Sequence, residues 1–213
     1  GRIVSDGPPV GGQVSIADIG IPQPYIDAVP SRLNVMTAKA VRATLPQRHL
    51  SSHKGTFGHA GIIAGSVGKT GAAAMAATAA LRMGAGLVTV AVPSSLTDVL
   101  EAKMLEAMTI PMPETKARTF ARNALDRLVN FMSTRTAIAI GPGISTHPET
   151  VELIQAFTKQ VDRPSVWDAD ALNALTGRIA LLASCKTPPI ITPHPGEMAR
   201  LERDSTPQSI NKD

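Results

Sequence analysis

The chain has 213 residues, of which 43% are hydrophobic and 18% charged, a globular composition with length for one sizeable core plus an appendage. Aromatic residues make up only 3%, which disfavours a stacking surface for single-stranded nucleic acid, and the net charge of +4 is scattered without a dense Lys/Arg run, so small anionic ligands are expected in place of nucleic acid. The lone Cys185 excludes an intramolecular disulfide and a cysteine zinc cluster, fits a reducing cytoplasm, and reads as a small buried residue; no apolar run is long enough to span a bilayer, the stretch Gly71 to Val92 being broken by Arg82, Gly84 and Gly86.

Residues 1–50 are the least regular. Gly7 to Gly12 reads as loop, Val14 to Ile21 as a short strand, and Pro22, Pro24 and Pro30 forbid a long element before the helical stretch Thr37 to Leu45. Gly1 is not an initiator Met and no charged-then-apolar signal follows it, so a fragment or processed piece is expected. From Lys54 onward the pattern alternates. Strands are predicted at Ala60–Ala64, Leu87–Val92, Thr109–Met112, Thr136–Ile140, Ser165–Trp167 and Pro189–Ile191. Helices are predicted at Gly71–Met83, where many alanines allow close approach to a sheet, and at Ser94–Met104 with a serine cap. Further helices are predicted at Lys116–Met132, Pro148–Gln160 with Pro148 in the first turn, Ala169–Leu175 stopped by Gly177, and from Glu197 to Arg203. Such alternation argues an α/β fold with a mostly parallel sheet and helices on both faces; the run ends on a helix, so a closing βαβ portion is expected to be missing.

Four loops follow the apolar strands, at the sheet edge where ligands of open α/β sheets bind. The first, Gly65 to Ala72, offers glycines for close backbone approach and a helix N-terminus for an anion, or is a plain strand-to-helix turn. It is no P-loop, because the pattern ending in Gly68-Lys69-Thr70 requires glycine where Ile63 stands. Gly141-Pro142-Gly143 is a rigid turn that serves structure or ligand. Asp168 and Asp170 could hold Mg²⁺, a ribose or a water, or act as a base, with one of the pair expected to cap the helix at Ala171-Leu172. His194, between Pro193 and Pro195 and followed by Gly196 and Glu197, is set in a constrained turn suited to a ligand contact, with Glu197 compensating a helix dipole. His49, His53, His59 and His147 lack metal-ligand spacing, and no G-x-S-x-G elbow or Cys/His nucleophile pair is present.

Taken in order, Lys54-Gly55-Thr56-Phe57-Gly58-His59 through Gly65-Ser66, Gly71-Ala72-Ala73 to Gly84-Ala85-Gly86-Leu87-Val88-Thr89-Val90, Gly141-Pro142-Gly143, Asp168-Ala169-Asp170-Ala171-Leu172-Asn173 and Thr192-Pro193-His194-Pro195-Gly196-Glu197-Met198 resemble the ADP/ATP-dependent NAD(P)H-hydrate dehydratases of the ribokinase-like superfamily. The resemblance covers about residues 50–203. It implies dehydration of hydrated NADH or NADPH, driven by ADP or ATP with Mg²⁺, and often a homo-tetramer. It implies substrate contacts at Ala72, Gly143 and His194, with Gly65, Gly71, Gly141, Asp168, Asp170, Gly196 and Glu197 in support. The family's later Lys-Gly segment and Gly-Gly-Ser-Gly-Asp motif, which hold the nucleotide and supply the catalytic Asp, are expected beyond Asp213, so this chain is expected to be impaired. Asp18-Ile19-Gly20-Ile21-Pro22 is similar to the junction of bifunctional members; residues 1–50 are then the tail of an epimerase-like domain with its linker, and 51–213 an incomplete dehydratase domain. The alternatives are a ribokinase-like kinase of hydroxyethylthiazole or hydroxymethylpyrimidine and a non-enzymatic nucleotide-binding module.

Overall fold

The computed structural model describes residue 15 and residues 17–30 and 35–202. The loop expected over Gly7–Gly12, Val14 and the tail from Arg203 lie outside them. The described residues between 17 and 21 form no strand, which corrects that part of the Val14–Ile21 expectation. By its internal contacts the chain divides into two units, Gly1–Leu50 and Ser51–Asp213.

Among its described residues the first unit holds two short helices. In α1 (Gln23–Asp27), Pro22 precedes the first turn and Pro24 lies within it, where a missing N–H is harmless. Helix α2 (Ala38–Thr44) starts where Thr37 Oγ1 accepts from the Ala40 amide at 3.1 Å. Every described residue of this unit is exposed.

The second unit is built on six strands, β1 (His59–Ile63), β2 (Leu87–Pro93), β3 (Met108–Met112), β4 (Ala137–Ile140), β5 (Ser165–Trp167) and β6 (Ile190–Ile191). They pair in the order β3-β2-β1-β4-β5-β6, and every ladder is parallel. Parallel strands need long crossovers, and the crossovers carry the helices α3 (Thr70–Arg82), α4 (Thr97–Glu101), α5 (Leu125–Ser133), α6 (Pro148–Thr158) and α7 (Asp170–Ala174), while α8 (Pro195–Leu201) follows β6.

Side-chain alternation along the strands divides the core in two. On one face Ile62, Val88, Val90 and Val92 meet Ala73 and Ala77 of α3 and Leu100 of α4. On the other, Ile63, Ala91, Ile138, Ile140 and Trp167 meet Leu128 and Phe131 of α5, Leu153 and Phe157 of α6 and Leu172 of α7. Helix α3 presents alanines four apart to the sheet, so its backbone comes close, while Met75 within it and Met83 at its end are 70% and 71% exposed. Cys185 is buried, with Sγ 3.5 Å from the Thr158 carbonyl, and burial pushes its thiol pKa up.

Two predicted helices are shorter than expected. The segment 116–121 is a tight turn: Thr115 Oγ1 accepts from the Ala117 and Thr119 amides, Glu114 bridges Phe120 antiparallel, and Arg118 takes φ 56°. One 3₁₀ turn, Arg122–Ala124, then leads into α5. The stretch 94–104 is likewise a 3₁₀ turn, Ser94–Leu96, and the five-residue α4. No serine caps it; Ser95 Oγ donates instead to Glu114 Oε2 at 2.8 Å.

At the N-terminal ends of β1 and β2, His59 Nε2 lies 2.8 Å from Oγ1 of buried Thr89. Arg135 stacks on Phe131, 4.4 Å from the ring centroid, and its buried Nε has no hydrogen-bond partner. Burial first, and the Arg135 charge second, hold the His59 pKa below its ordinary value. The folded state therefore favours neutral imidazole, and stability is complete above the unfolded value of about 6.5 and lost as pH falls below it toward the folded value. The denaturation midpoint is expected to drop from about pH 7 to about pH 5 more steeply in the wild type than in His59→Gln. Removing the fully buried Phe157 ring by Phe157→Ala is expected to cost ~3–5 kcal/mol in urea unfolding, whereas Leu105→Ala, at a 96% exposed site, should stay within ~0.5 kcal/mol.

Candidate functional site

From β1 the chain builds the sheet outward through β2 and β3, then returns to the far side of β1 and continues through β4, β5 and β6. Loops leaving the C-terminal ends of β1 and β4 therefore run to opposite faces and leave a crevice between them. Both glycine loops flank this point. Gly65 N donates to the Pro142 carbonyl at 2.9 Å, and Oγ of buried Ser66 donates to the Gly143 carbonyl at 2.7 Å.

Two glycines are required here on steric grounds. Gly141 has φ 124°, and a Cβ on it would stand 1.9 Å from the Asp168 carbonyl oxygen. Gly143 has φ 70°, and its Cβ would stand 2.9 Å from Cβ of Lys69 and 3.2 Å from Cβ of Ala72. Ala72 and Gly143 thus pack against each other where the β1 and β4 loops meet. The N-terminal end of α3 opens beside them with Lys69 at its cap position, a setting that favours a negatively charged group. Gly71 is exposed, and a Cβ there meets nothing within 4 Å.

The two aspartates do not cap α7, contrary to expectation: its N-cap is Ala169, with no side-chain cap bond. Asp168 Oδ1 instead accepts from Thr192 Oγ1 at 2.9 Å, tying the loop after β5 to the loop after β6. Asp170 Oδ2 accepts from the Ser145 amide at 2.9 Å and from Lys69 Nζ at 3.0 Å. Among the described residues no group of three His, Cys, Asp or Glu side chains could hold a metal ion, and both aspartates are already engaged.

His194 sits at the C-terminal end of β6, two strands from β4, and is not in the Ala72–Gly143 cluster. Its imidazole caps α8. Nδ1 accepts from the Gly196 and Glu197 amides at 3.0 and 3.3 Å, while Glu197 Oε2 accepts from the His194 amide at 3.0 Å. This reciprocal capping box gives buried Glu197 a larger part than dipole compensation. With Nδ1 accepting, the neutral ring carries its proton on Nε2, which lies 3.4 Å from Glu197 Oε1 on a side chain that is 63% exposed. Gly196 packs under the ring, its missing Cβ only 2.9 Å from Cε1. Arg200 of α8 reaches back to Asn173 of α7, Nε to Oδ1 at 3.0 Å.

Ser66, Ser145 and Thr192 were not singled out by sequence, because each works through a partner far along the chain. In the sequence, Lys69 stands out only as part of a pattern that lacks the first glycine of a P-loop. An open cavity of about 670 Å³ lies elsewhere, between Glu114, Lys116, Arg122 and Glu149. Its Glu114 is bonded to Ser95 and its Arg122 is paired with Glu152 at 3.3 Å, and none of the predicted site residues lines it.

A sequence model of the NAD(P)H-hydrate dehydratase family matches residues 60–212. The bifunctional NAD(P)H-hydrate repair enzyme Nnr of Moorella thermoacetica is 45% identical over 201 residues, covering 94% of this chain and 38% of that protein. The ADP-dependent (S)-NAD(P)H-hydrate dehydratase of Lactiplantibacillus plantarum is 35% identical over 178 residues, 81% of this chain and 60% of the other. This chain thus spans less than two thirds of the length of each of these relatives. Among solved structures, the ADP/ATP-dependent NAD(P)H-hydrate dehydratase of Bacillus subtilis co-crystallized with ATP/Mg²⁺ aligns with a TM-score of 0.66 at 30% identity, covering 83% of this chain and 58% of that one. A ribokinase-like superfamily protein from Enterococcus faecalis aligns with a TM-score of 0.65 at 22% identity, covering 83% and 61%, and shares the fold. The switch-point crevice, the ordered loops and these alignments place the chain in the NAD(P)H-hydrate dehydratase family, on a ribokinase-like α/β fold.

Proposed function

We propose that this chain carries the substrate-binding part of an ADP- or ATP-dependent dehydratase that restores hydrated NADH or NADPH. The observation that carries the reading is the meeting of Ala72 and Gly143 beside the β1/β4 switch point, the two positions to which the sequence resemblance assigns substrate contacts. A dinucleotide is long and anionic. The α3 N-terminus and Lys69 suit its phosphates, and the His194 imidazole, 63% exposed with Nε2 also 3.4 Å from Glu197 Oε1, offers a donor farther along the same sheet edge.

The chemistry proposed is elimination assisted by phosphoryl transfer. The ring hydroxyl leaves poorly as hydroxide; once phosphorylated by the nucleotide it leaves as phosphate, and the dihydronicotinamide is regenerated. Positioning and electrostatic stabilisation carry such a transfer. Mg²⁺ belongs to this proposal with the nucleotide, outside the described residues. The unit Gly1–Leu50 is proposed as the tail of an epimerase-like domain with its linker, the reaction as cytoplasmic, and the assembled enzyme as a homo-oligomer. No helix among the described residues is long and apolar enough to cross a membrane.

Titration calorimetry with hydrated NADH, hydrated NADPH and hydroxyethylthiazole tests the reading. Binding of either hydrate but not of the thiazole is expected; the reverse preference would overturn it. Gly143→Val fills the crevice against Lys69 and Ala72 and should weaken hydrate binding by about tenfold or more. His194 separates into two roles. Asn caps helices well, so His194→Asn should keep thermal stability while losing the Nε2 donor; His194→Ala should lose both, with ~1 kcal/mol of stability. Hydrate affinity unchanged in both variants would remove His194 from the site.

A further inference from the structure

We infer that Asp170 is a positioning residue that sets the width of the Ala72–Gly143 crevice, an inference that rests on the function proposed above. Its side chain is 16% exposed, and it opens a helix without capping it. One oxygen, Oδ2, accepts from both walls of the crevice: from Lys69 Nζ at 3.0 Å and from the Ser145 amide at 2.9 Å. Lys69 stands three residues before Ala72, and Ser145 two residues after Gly143. The other oxygen accepts from Asn173 Nδ2 at 3.4 Å, and Asn173 Oδ1 accepts from Arg200 Nε at 3.0 Å. A continuous polar chain thus runs from the start of α3, through the Gly143 turn, to α8, whose N-cap is His194.

Backbone conformation supports the same role. Only three non-glycine residues among those described have positive φ, and two of them adjoin this carboxylate: Ser145 at 78° and Ala169 at 50°. Ala169 has ψ −121°, a combination that L-residues avoid. Such conformations persist where surrounding bonds over-determine them, and they gather at ligand-binding turns. The Asp170 bond to the Ser145 amide is what fixes the first of them. The competing account is a first-turn acid that merely favours the dipole of the five-residue α7. That account requires no bond to Ser145 and no effect on ligand affinity beyond any loss of folding.

The test compares wild type, Asp170→Ala and Asp170→Asn in calorimetric titrations with hydrated NADH and hydrated NADPH, alongside amide hydrogen exchange at Ser145. Asp170→Ala should weaken hydrate binding by about tenfold or more and speed exchange at Ser145. Asp170→Asn keeps an oxygen acceptor for that amide and should restore binding to within about threefold of wild type. Binding by Asp170→Ala within about twofold of wild type overturns the inference, as does an Asn variant no better than Ala. Should the Ala variant fail to fold, Asp170→Glu, which displaces the carboxylate by one methylene, is held to the same tenfold and twofold limits. A wild-type chain that binds neither hydrate sinks the dehydratase reading and this inference with it; wild-type binding that Asp170→Ala leaves intact sinks only the positioning role.

Discussion

The structure depends on one topological constraint, the reversal of strand order on either side of β1. Parallel strands with right-handed crossovers send helices to one face while the sheet grows one way and to the other face when it grows back. Only between β1 and β4 do successive loops part. There two stretches of chain meet, Gly65 N on the Pro142 carbonyl and Ser66 Oγ on the Gly143 carbonyl, with Cβ of Lys69 and Cβ of Ala72 standing against Gly143. The switch point is a product of the sheet order, and the glycines let the loops on either side of it pack closely.

The same constraint governs the core. Because β1 lies between β2 and β4, its residues must serve both layers, and Ile62 and Ile63 do so by facing opposite ways. The layer under α3 and α4 is built from valines and alanines, and the layer under α5 to α8 from the large rings and leucines. The alanine layer brings α3 close to the sheet, which is how its N-terminal end comes to lie at the crevice.

Most of this was legible in the sequence, since strands buried on both faces are short apolar runs bounded by turn residues. Ser165–Trp167 was read with its observed bounds, and the other strands to within a residue or two. The stretch 116–132 misled, because its apolar spacing is helical while Thr115 and Arg118 fold the first part into a turn that no periodicity reveals. The glycine loops were visible as local patterns. The bonds that join them were not: Lys69 and Asp170 are 101 residues apart, and Ser66 and Gly143 are 77 apart, so only the folded sheet makes them partners. His194 carried a readable signal in the glutamate three positions on and the proline between them, the marks of a capped helix start.

That separation along the chain bears on how the molecule forms. The contact from β1 to β2 made by His59 and Thr89 spans 30 residues, whereas the contact from His59 to Thr136 at the start of β4 spans 77. Loop closure grows dearer in entropy with length, and distant pairings are slow to form. The half-sheet β1–β3 can assemble from nearer neighbours, while the ladder that creates the crevice waits for the widest closure in the sheet. The packing of Ala72 against Gly143 therefore exists only once that long closure has been made.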